Sequence, residues 1–241
     1  MSHRADTSPM VSPGTRHRAC HAPQAVRRAW RWFVAGAVLA LASAAALAWD
    51  AKPMRAAAER LGPAAVEGAR ALAELIESAR PLGEAAQAQA VNQFFNRRIL
   101  FRDDVQVWGQ ADYWASPLET LARGQGDCED YAIAKYFSLT ALGVAPARLR
   151  LVYVRAVLGA ADGPAQAHMV LAYFPTASGE PLILDNLVPD LLPASRRPNL
   201  TPVFSFNAEG LWQGSTPAGD PLARLSRWRE VLAKAREQGF P

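Results

Sequence analysis

Beyond residue 52 the apolar positions first recur at helical spacing and then, past residue 147, alternate. Across Pro53–Ala79 an imperfect stripe of Leu61, Val66, Leu72, Leu75 and Ile76 predicts helix. Pro63 interrupts or restarts it, since proline lacks an N–H and clashes with the preceding turn. Pro81-Leu82-Gly83 predicts a turn. Glu84 to about Leu100 carries Ala88, Val91, Phe94, Phe95 and Ile99 on one side, a second helix. Asn92 and Asn96 lie one turn apart on another strip, and Asn96 reads as a solvated or capping amide. Arg102–Gln110 predicts a loop with some extended character. Ser116 before Pro117 is a helix start with proline at its first position, and Leu118, Leu121 and Ala122 bury that short helix. Trp108 and Trp114 predict core positions, as large aromatics are mostly buried; lining a substrate groove is the other reading.

The next helix opens at Asp127-Cys128. Tyr131, Ile133, Ala134, Phe137, Leu139 and Leu142 make it apolar nearly all round, hence central, and Gly143 ends it. Three strands are predicted after it: Arg148–Val157, Ala167–Phe174 and Leu182–Asp185. The turn-rich stretches Gly159–Ala165 and Thr176–Glu180 suit antiparallel links between them. A loop from Asn186 holds Pro189, Pro193, Pro198 and Pro202; Val203–Phe206 is a last strand, and Pro221 to about Gln238 a charged helix. Helices followed by strands make an α+β fold class: N-terminal helices and a central Cys-bearing helix packed on an antiparallel sheet.

Residues 1–48 follow neither period. Met1–Ala25 is rich in Ser, Pro, His and Arg; Arg27, Arg28 and Arg31 follow, and then a sixteen-residue apolar run, Phe33–Ala48. A basic flank, an apolar core and Ala46-Leu47-Ala48 read as a signal peptide. The competing reading is an uncleaved membrane anchor with Trp30, Trp32 and Trp49 at the interfaces, although a spanning helix usually needs about twenty residues. Either way the expectation is export of one domain, residues 49–241. The leader also changes the meaning of the charge. The whole chain is +4 with a pI near 9.4. Residues 1–32 hold six arginines against one aspartate, which leaves 20 basic and 21 acidic residues after them. The exported part is near neutral, and its composition gives no argument for nucleic-acid binding.

Removing the leader leaves one cysteine and one histidine. Cys20, His3, His17 and His21 fall within it; Cys128 and His168 remain. A lone thiol in an oxidising compartment is either buried and inert or kept for its reactivity. Cys128 heads a helix, where free N–H groups and the helix dipole favour thiolate. His168 begins a strand and Asp185 ends the next, so nucleophile, base and orienting carboxylate occur on adjoining elements. Taken singly, each residue has a structural explanation; taken together, as the sole thiol and imidazole beyond the leader, they read as a catalytic triad. The Cys128 N–H is the natural first oxyanion donor, with Gln125, Trp108 or Trp114 as the second. Asp127, Glu129 and Asp130 oppose the dipole, because like charges raise a thiol pKa. They are either Ca²⁺ ligands or an acidic helix cap without metal, with Asp127 and Asp130 facing one another and Glu129 pointing elsewhere.

The run Gly126-Asp127-Cys128-Glu129-Asp130-Tyr131-Ala132-Ile133-Ala134-Lys135-Tyr136, then His168-Met169-Val170-Leu171, then Leu184-Asp185-Asn186, resembles the bacterial transglutaminase-like cysteine proteinases of the LapG type. Val91-Asn92 and Asp112-Tyr113-Trp114-Ala115 add to the resemblance, which runs from about Ala90 to Leu187. It implies a papain/transglutaminase-like fold and a periplasmic, Ca²⁺-dependent peptidase. Such an enzyme cleaves a very large surface adhesin near its N-terminus, after a pair of alanines, and releases cells from a biofilm. It also implies an inner-membrane receptor that senses cyclic di-GMP and sequesters the protease. The triad carried over is Cys128, His168 and Asp185; the calcium ligands carried over are Asp127, Glu129 and Asp130. Two other readings stand beside it: a transglutaminase-type acyl transferase, in which an amine resolves the thioester, and a non-catalytic interaction module.

Overall fold

A computed structural model describes residues 49–159 and 163–241, so the expected leader and the middle of the Gly159–Ala165 turn lie outside the described residues. The long N-terminal helical stripe is two helices, α1 (Lys52–Leu61) and α2 (Pro63–Ala79). The break falls at Gly62, whose φ of 103° suits only glycine, with Pro63 restarting the helix at its first position. α3 (Glu84–Arg98) matches the second expected helix. β1 (Leu100–Phe101) follows, and then α4 (Asp104–Trp108) in the stretch expected to be loop. α4 is one turn long and shows no apolar period of its own, which is why the pattern missed it. Trp108 and Trp114, expected as core, are only half-buried.

α5 (Pro117–Arg123) begins at Ser116 with a reciprocal cap. The Glu119 N–H donates to the Ser116 hydroxyl, and the Ser116 N–H donates to the Glu119 carboxylate at 2.8 Å. Glu119 also accepts from Tyr113 and Lys234, each at 2.8 Å, so the cap anchors the preceding loop. Ser116→Ala is expected to cost about 1 kcal/mol, a fall of roughly 2–4 °C in melting temperature. An unchanged melt would mean that the cap contributes nothing.

β2 (Gln125–Gly126) pairs in parallel with β1 and leads into α6 (Cys128–Ala141), which is buried along nearly its whole length. Around α6 lie Val91 and Phe95 of α3, Leu118 and Leu121 of α5, and Leu149, Leu151, Met169, Leu171 and Tyr173 of the sheet. The sheet is antiparallel throughout. It comprises β3 (Leu149–Val157), β4 (Ala165–Tyr173), β5 (Leu182–Leu184), β6 (Leu192–Pro193), β7 (Leu200–Phe206), β8 (Leu211–Gln213) and β9 (Thr216–Gly219). Its order is β6-β5-β4-β3-β7-β8-β9. β7 starts three residues before the expected Val203 and takes in Pro202, where its register with β3 shifts; β6, β8 and β9 were not expected. α7 (Pro221–Arg224) and α8 (Ser226–Glu237) replace the single C-terminal helix, and Trp228 of α8 packs on Tyr136 and Phe137. Among the described residues no helix is long and apolar enough to cross a membrane.

Side chains alternate along β4. Met169, Leu171 and Tyr173 join the core around α6, whereas Val170 and Ala172 face away. With Val152, Val154 and Ile183 they line a second, apolar cavity of about 220 Å³, at whose edge Arg197 lies.

Candidate active site

The site forms where β4 loses its neighbour. β5 is three residues long and pairs with β4 only from Leu171 to Tyr173. The edge of β4 before Leu171 therefore has no strand beside it, and the head of α6 fills that place. The Cys128 helix packs on β4, and the Met169 amide of that strand acts on the Cys128 sulfur, favouring its charged form. Asp185 follows β5 directly, and its Oδ1 lies 2.9 Å from His168 Nε2. His168 and Asp185 are both buried. Histidine and aspartate thus meet on the sheet that packs against the Cys128 helix, although His168 is the fourth residue of its strand rather than the first.

Asp185 is held from several sides. Oδ1 also accepts the Leu187 N–H at 3.0 Å, and Oδ2 accepts from Arg197 Nη2 at 2.6 Å. Burial works to raise its pKa, but the His168, Leu187 and Arg197 interactions outweigh it and bring the carboxyl to about 2. The backbone is fixed as well: Asn96 Nδ2 donates to the Asp185 carbonyl at 2.7 Å, and Asn92 Nδ2 to the Pro189 carbonyl at 3.0 Å. The solvated-or-capping reading of Asn96 is corrected: its spacing of one helical turn from Asn92 delivers two donors to the segment that carries Asp185. Neither Asn96 nor Arg197 was identifiable from the pattern of the chain.

The thiol itself is not favoured as thiolate. Burial pushes the Cys128 pKa up, and the charges of Glu129 and Asp127 push it further; the Met169 N–H opposes them. The thiol donates to Glu129 Oε2 at 2.9 Å. Asp127 occupies the N-cap position of α6, but its side chain accepts no capping bond, contrary to expectation. Asp127 and Asp130 share a cluster, as expected, with Asp104 of α4 as its third member. One carboxylate oxygen from each lies within 4.8 Å of the others. Glu129 sits at the border of this trio, grouped with Asp104 and Asp112 or with Asp127 and Cys128.

The cluster is short of hydrogen atoms. Asp104 accepts the Tyr113 N–H and Asp130 the Ala115 N–H at 2.8 Å. Yet one oxygen each of Asp104, Asp127 and Asp130 is buried with no partner. Burial raises the Asp104 carboxyl to about 6. Burial first, then neighbouring acids, drive Asp127 and Asp130 far above the usual carboxylate range. Three clustered carboxylates, each with a buried oxygen left unpartnered, suit a hard cation such as Ca²⁺. Gly126 makes room for them: a Cβ there would lie 2.8 Å from the Asp130 Cβ and against its carboxylate. Asp104 carries no sequence signal, because it stands 23 positions before Asp127 in a stretch without periodicity.

Of the three residues named as a second oxyanion donor, Gln125 is exposed in β2 and Trp114 stacks on Phe206. Trp108 lies against Tyr113 and Arg123 with its Nε1 buried. The Cys128 N–H is the first of α6 and has no partner within the helix.

Residues 74–199 match the family model described as bacterial transglutaminase-like cysteine proteinase. Among solved structures the chain is similar to Legionella pneumophila LapG, at 38% identity and a TM-score of 0.67, over 77% of this chain and 97% of that one. An EGTA-treated LapG structure matches with a TM-score of 0.68, and a calcium-bound one with 0.66 over 98% of its chain. Comparison with curated protein sequences finds no match. The mixed helix and antiparallel sheet architecture is accordingly the transglutaminase-like fold. With a matching family model over half its length and 38% identity to a protein it covers almost entirely, this chain belongs to the bacterial transglutaminase-like cysteine proteinases and is a cysteine peptidase of the LapG type.

Proposed function

We propose that the protein is a periplasmic, calcium-dependent cysteine endopeptidase whose triad is Cys128, His168 and Asp185. The observation that carries this reading is the 2.9 Å contact between His168 and Asp185 on the sheet against which the Cys128 helix packs. In this mechanism the imidazole of His168 takes the thiol proton as the sulfur attacks the scissile carbonyl. Asp185 fixes the imidazole through Nε2 and steadies the imidazolium, leaving Nδ1 to face the thiol. The Cys128 N–H donates to the developing oxyanion. His168 returns the proton to the leaving amine, and water resolves the thioester by the reverse sequence.

Calcium is supported by the three unpartnered oxygens of Asp104, Asp127 and Asp130 and by the calcium-bound form of a LapG that is 38% identical. These residues would hold it, and bound there it would neutralise Asp127, one of the carboxylates that raise the Cys128 pKa. The resemblance to LapG-type enzymes further supports a large surface adhesin as substrate, cleaved near its N-terminus to release cells from biofilm. It also supports control by an inner-membrane cyclic di-GMP receptor. Export to the periplasm rests on residues 1–48, with inner-membrane attachment if that leader stays uncleaved.

A peptide with a central pair of alanines, incubated with the protein, Ca²⁺ and a labelled amine, tests the reaction class. Two free peptide fragments are expected. Incorporation of the label into the acyl fragment with little hydrolysis would replace the peptidase reading with acyl transfer.

A further inference from the structure

We infer that Arg197 is a positioning residue of the catalytic centre: it grips the free oxygen of Asp185 and so fixes the carboxylate against His168. The inference rests on the triad proposed above. Asp185 Oδ1 is spent on His168 and the Leu187 N–H. The only partner of Oδ2 among the described residues is Arg197 Nη2, at 2.6 Å, in a pair with side-chain exposures of 0% and 4%. A buried carboxylate with one oxygen on imidazole rotates or protonates unless the other oxygen is also bonded; a charge-assisted bond from a group charged at every working pH prevents both.

The geometry of the support agrees. Arg197 follows a short 3-10 turn, Ala194–Arg196, and its Nε donates to Asn199 Oδ1 at 3.3 Å. The chain then enters β7, paired with β3, so the guanidinium is anchored to the sheet that carries His168. Arg197 also lines the apolar cavity on the β4 face that carries Val170 and Ala172. Almost fully buried on Asp185, it acts on the centre through that carboxylate.

Three cationic or titratable side chains bear on Asp185: His168 from β4, Arg197 from the loop before β7, and Lys135 from α6. Lys135 does not substitute for Arg197. It is fully buried, its amine has no hydrogen-bond partner, and burial lowers its pKa to about 7, with Asp185 opposing. It is only partly charged at neutral pH, whereas the guanidinium is charged throughout.

The test uses the full chain with Ca²⁺ and follows peptide hydrolysis and the rate of Cys128 alkylation by iodoacetamide, both against pH. In Arg197→Met, kcat is expected to fall about ten- to hundredfold with KM unchanged. The acid limb of both profiles should move to higher pH, because Asp185 now protonates more easily. Arg197→Lys should recover part of the rate. In Arg197→Ala, which opens onto the cavity, millimolar guanidinium should restore activity where methylammonium does not. Folded variants, judged by their melts, with wild-type kcat and an unmoved acid limb would overturn the inference and leave the triad standing. Wild-type Cys128 alkylating no faster than a free thiol would overturn the triad, and this inference with it.

Discussion

Cys128→Ala is expected to abolish peptide hydrolysis, with a loss of about 10⁴-fold or more, while the protein melts close to wild type. The size follows from the unit behaviour of nucleophile and base: removing either alone costs nearly as much as removing both. The small effect on the fold follows from position. Cys128 is half-buried at the first turn of α6, and the helix is held by the apolar residues behind it, from Tyr131 to Leu139. Alanine removes one thiol that donates to Glu129, and it adds no bulk. Hydrolysis of the dialanine peptide and a thermal melt of the same preparation check both halves. A variant that melts normally and still cleaves at a substantial fraction of the wild-type rate would place the nucleophile elsewhere.

Calcium is expected to raise the melting temperature more at pH 8 than at pH 5, and chelation to lower peptidase activity. The sign comes from Asp104, Asp127 and Asp130, whose folded pKa values lie above the ordinary carboxylate value near 4. Such groups contribute stability that is fully present below the ordinary value and is lost as pH rises through the folded one. For Asp104 that loss runs from about pH 4 to its folded value of about 6, and for the other two it continues well above. The chelated protein should therefore weaken from mildly acid to alkaline pH, as three buried carboxyls are forced to ionise together. Calcium binds the ionised forms, so its increment grows over the same range. At a free concentration one hundred times Kd the stabilisation is about 2.7 kcal/mol. For a domain of this size that is roughly 5–11 °C. Asp104→Asn and Asp130→Asn should each reduce the increment. Identical melts in calcium and in chelator at pH 8 would remove the metal from this site.

Candidates for the catalytic half of the site were legible because subtraction left so few, and the structure pairs two of them, His168 and Asp185. One thiol and one imidazole beyond the leader, followed by a carboxylate at a strand end, named Cys128, His168 and Asp185 without any coordinates. The central helix was legible too, since apolar residues on all sides of a 3.6-residue period leave no face for water. The metal half was only partly so. Asp127 and Asp130 are separated by one helical turn, and helix geometry alone brings them together. Asp104 joins them because β1 pairs with β2 and so lays the start of α4 beside the start of α6.

The chain's own chemistry determined the helices-then-strands order, the central helix and the candidates for the reacting side chains, because these follow from local periodicity and from which residue types can do the chemistry. Tertiary structure alone decided who supports them. Asn96, Asp104 and Arg197 stand in a helix flank, a one-turn helix and a proline-rich loop, none of which carries a signal of its own. Each acquires its role only because pairing of β1 with β2, and of β5 with β4 and β6, brings distant backbone into register. Long-range register is set by the whole sheet and its packing on α6, not by any window of sequence.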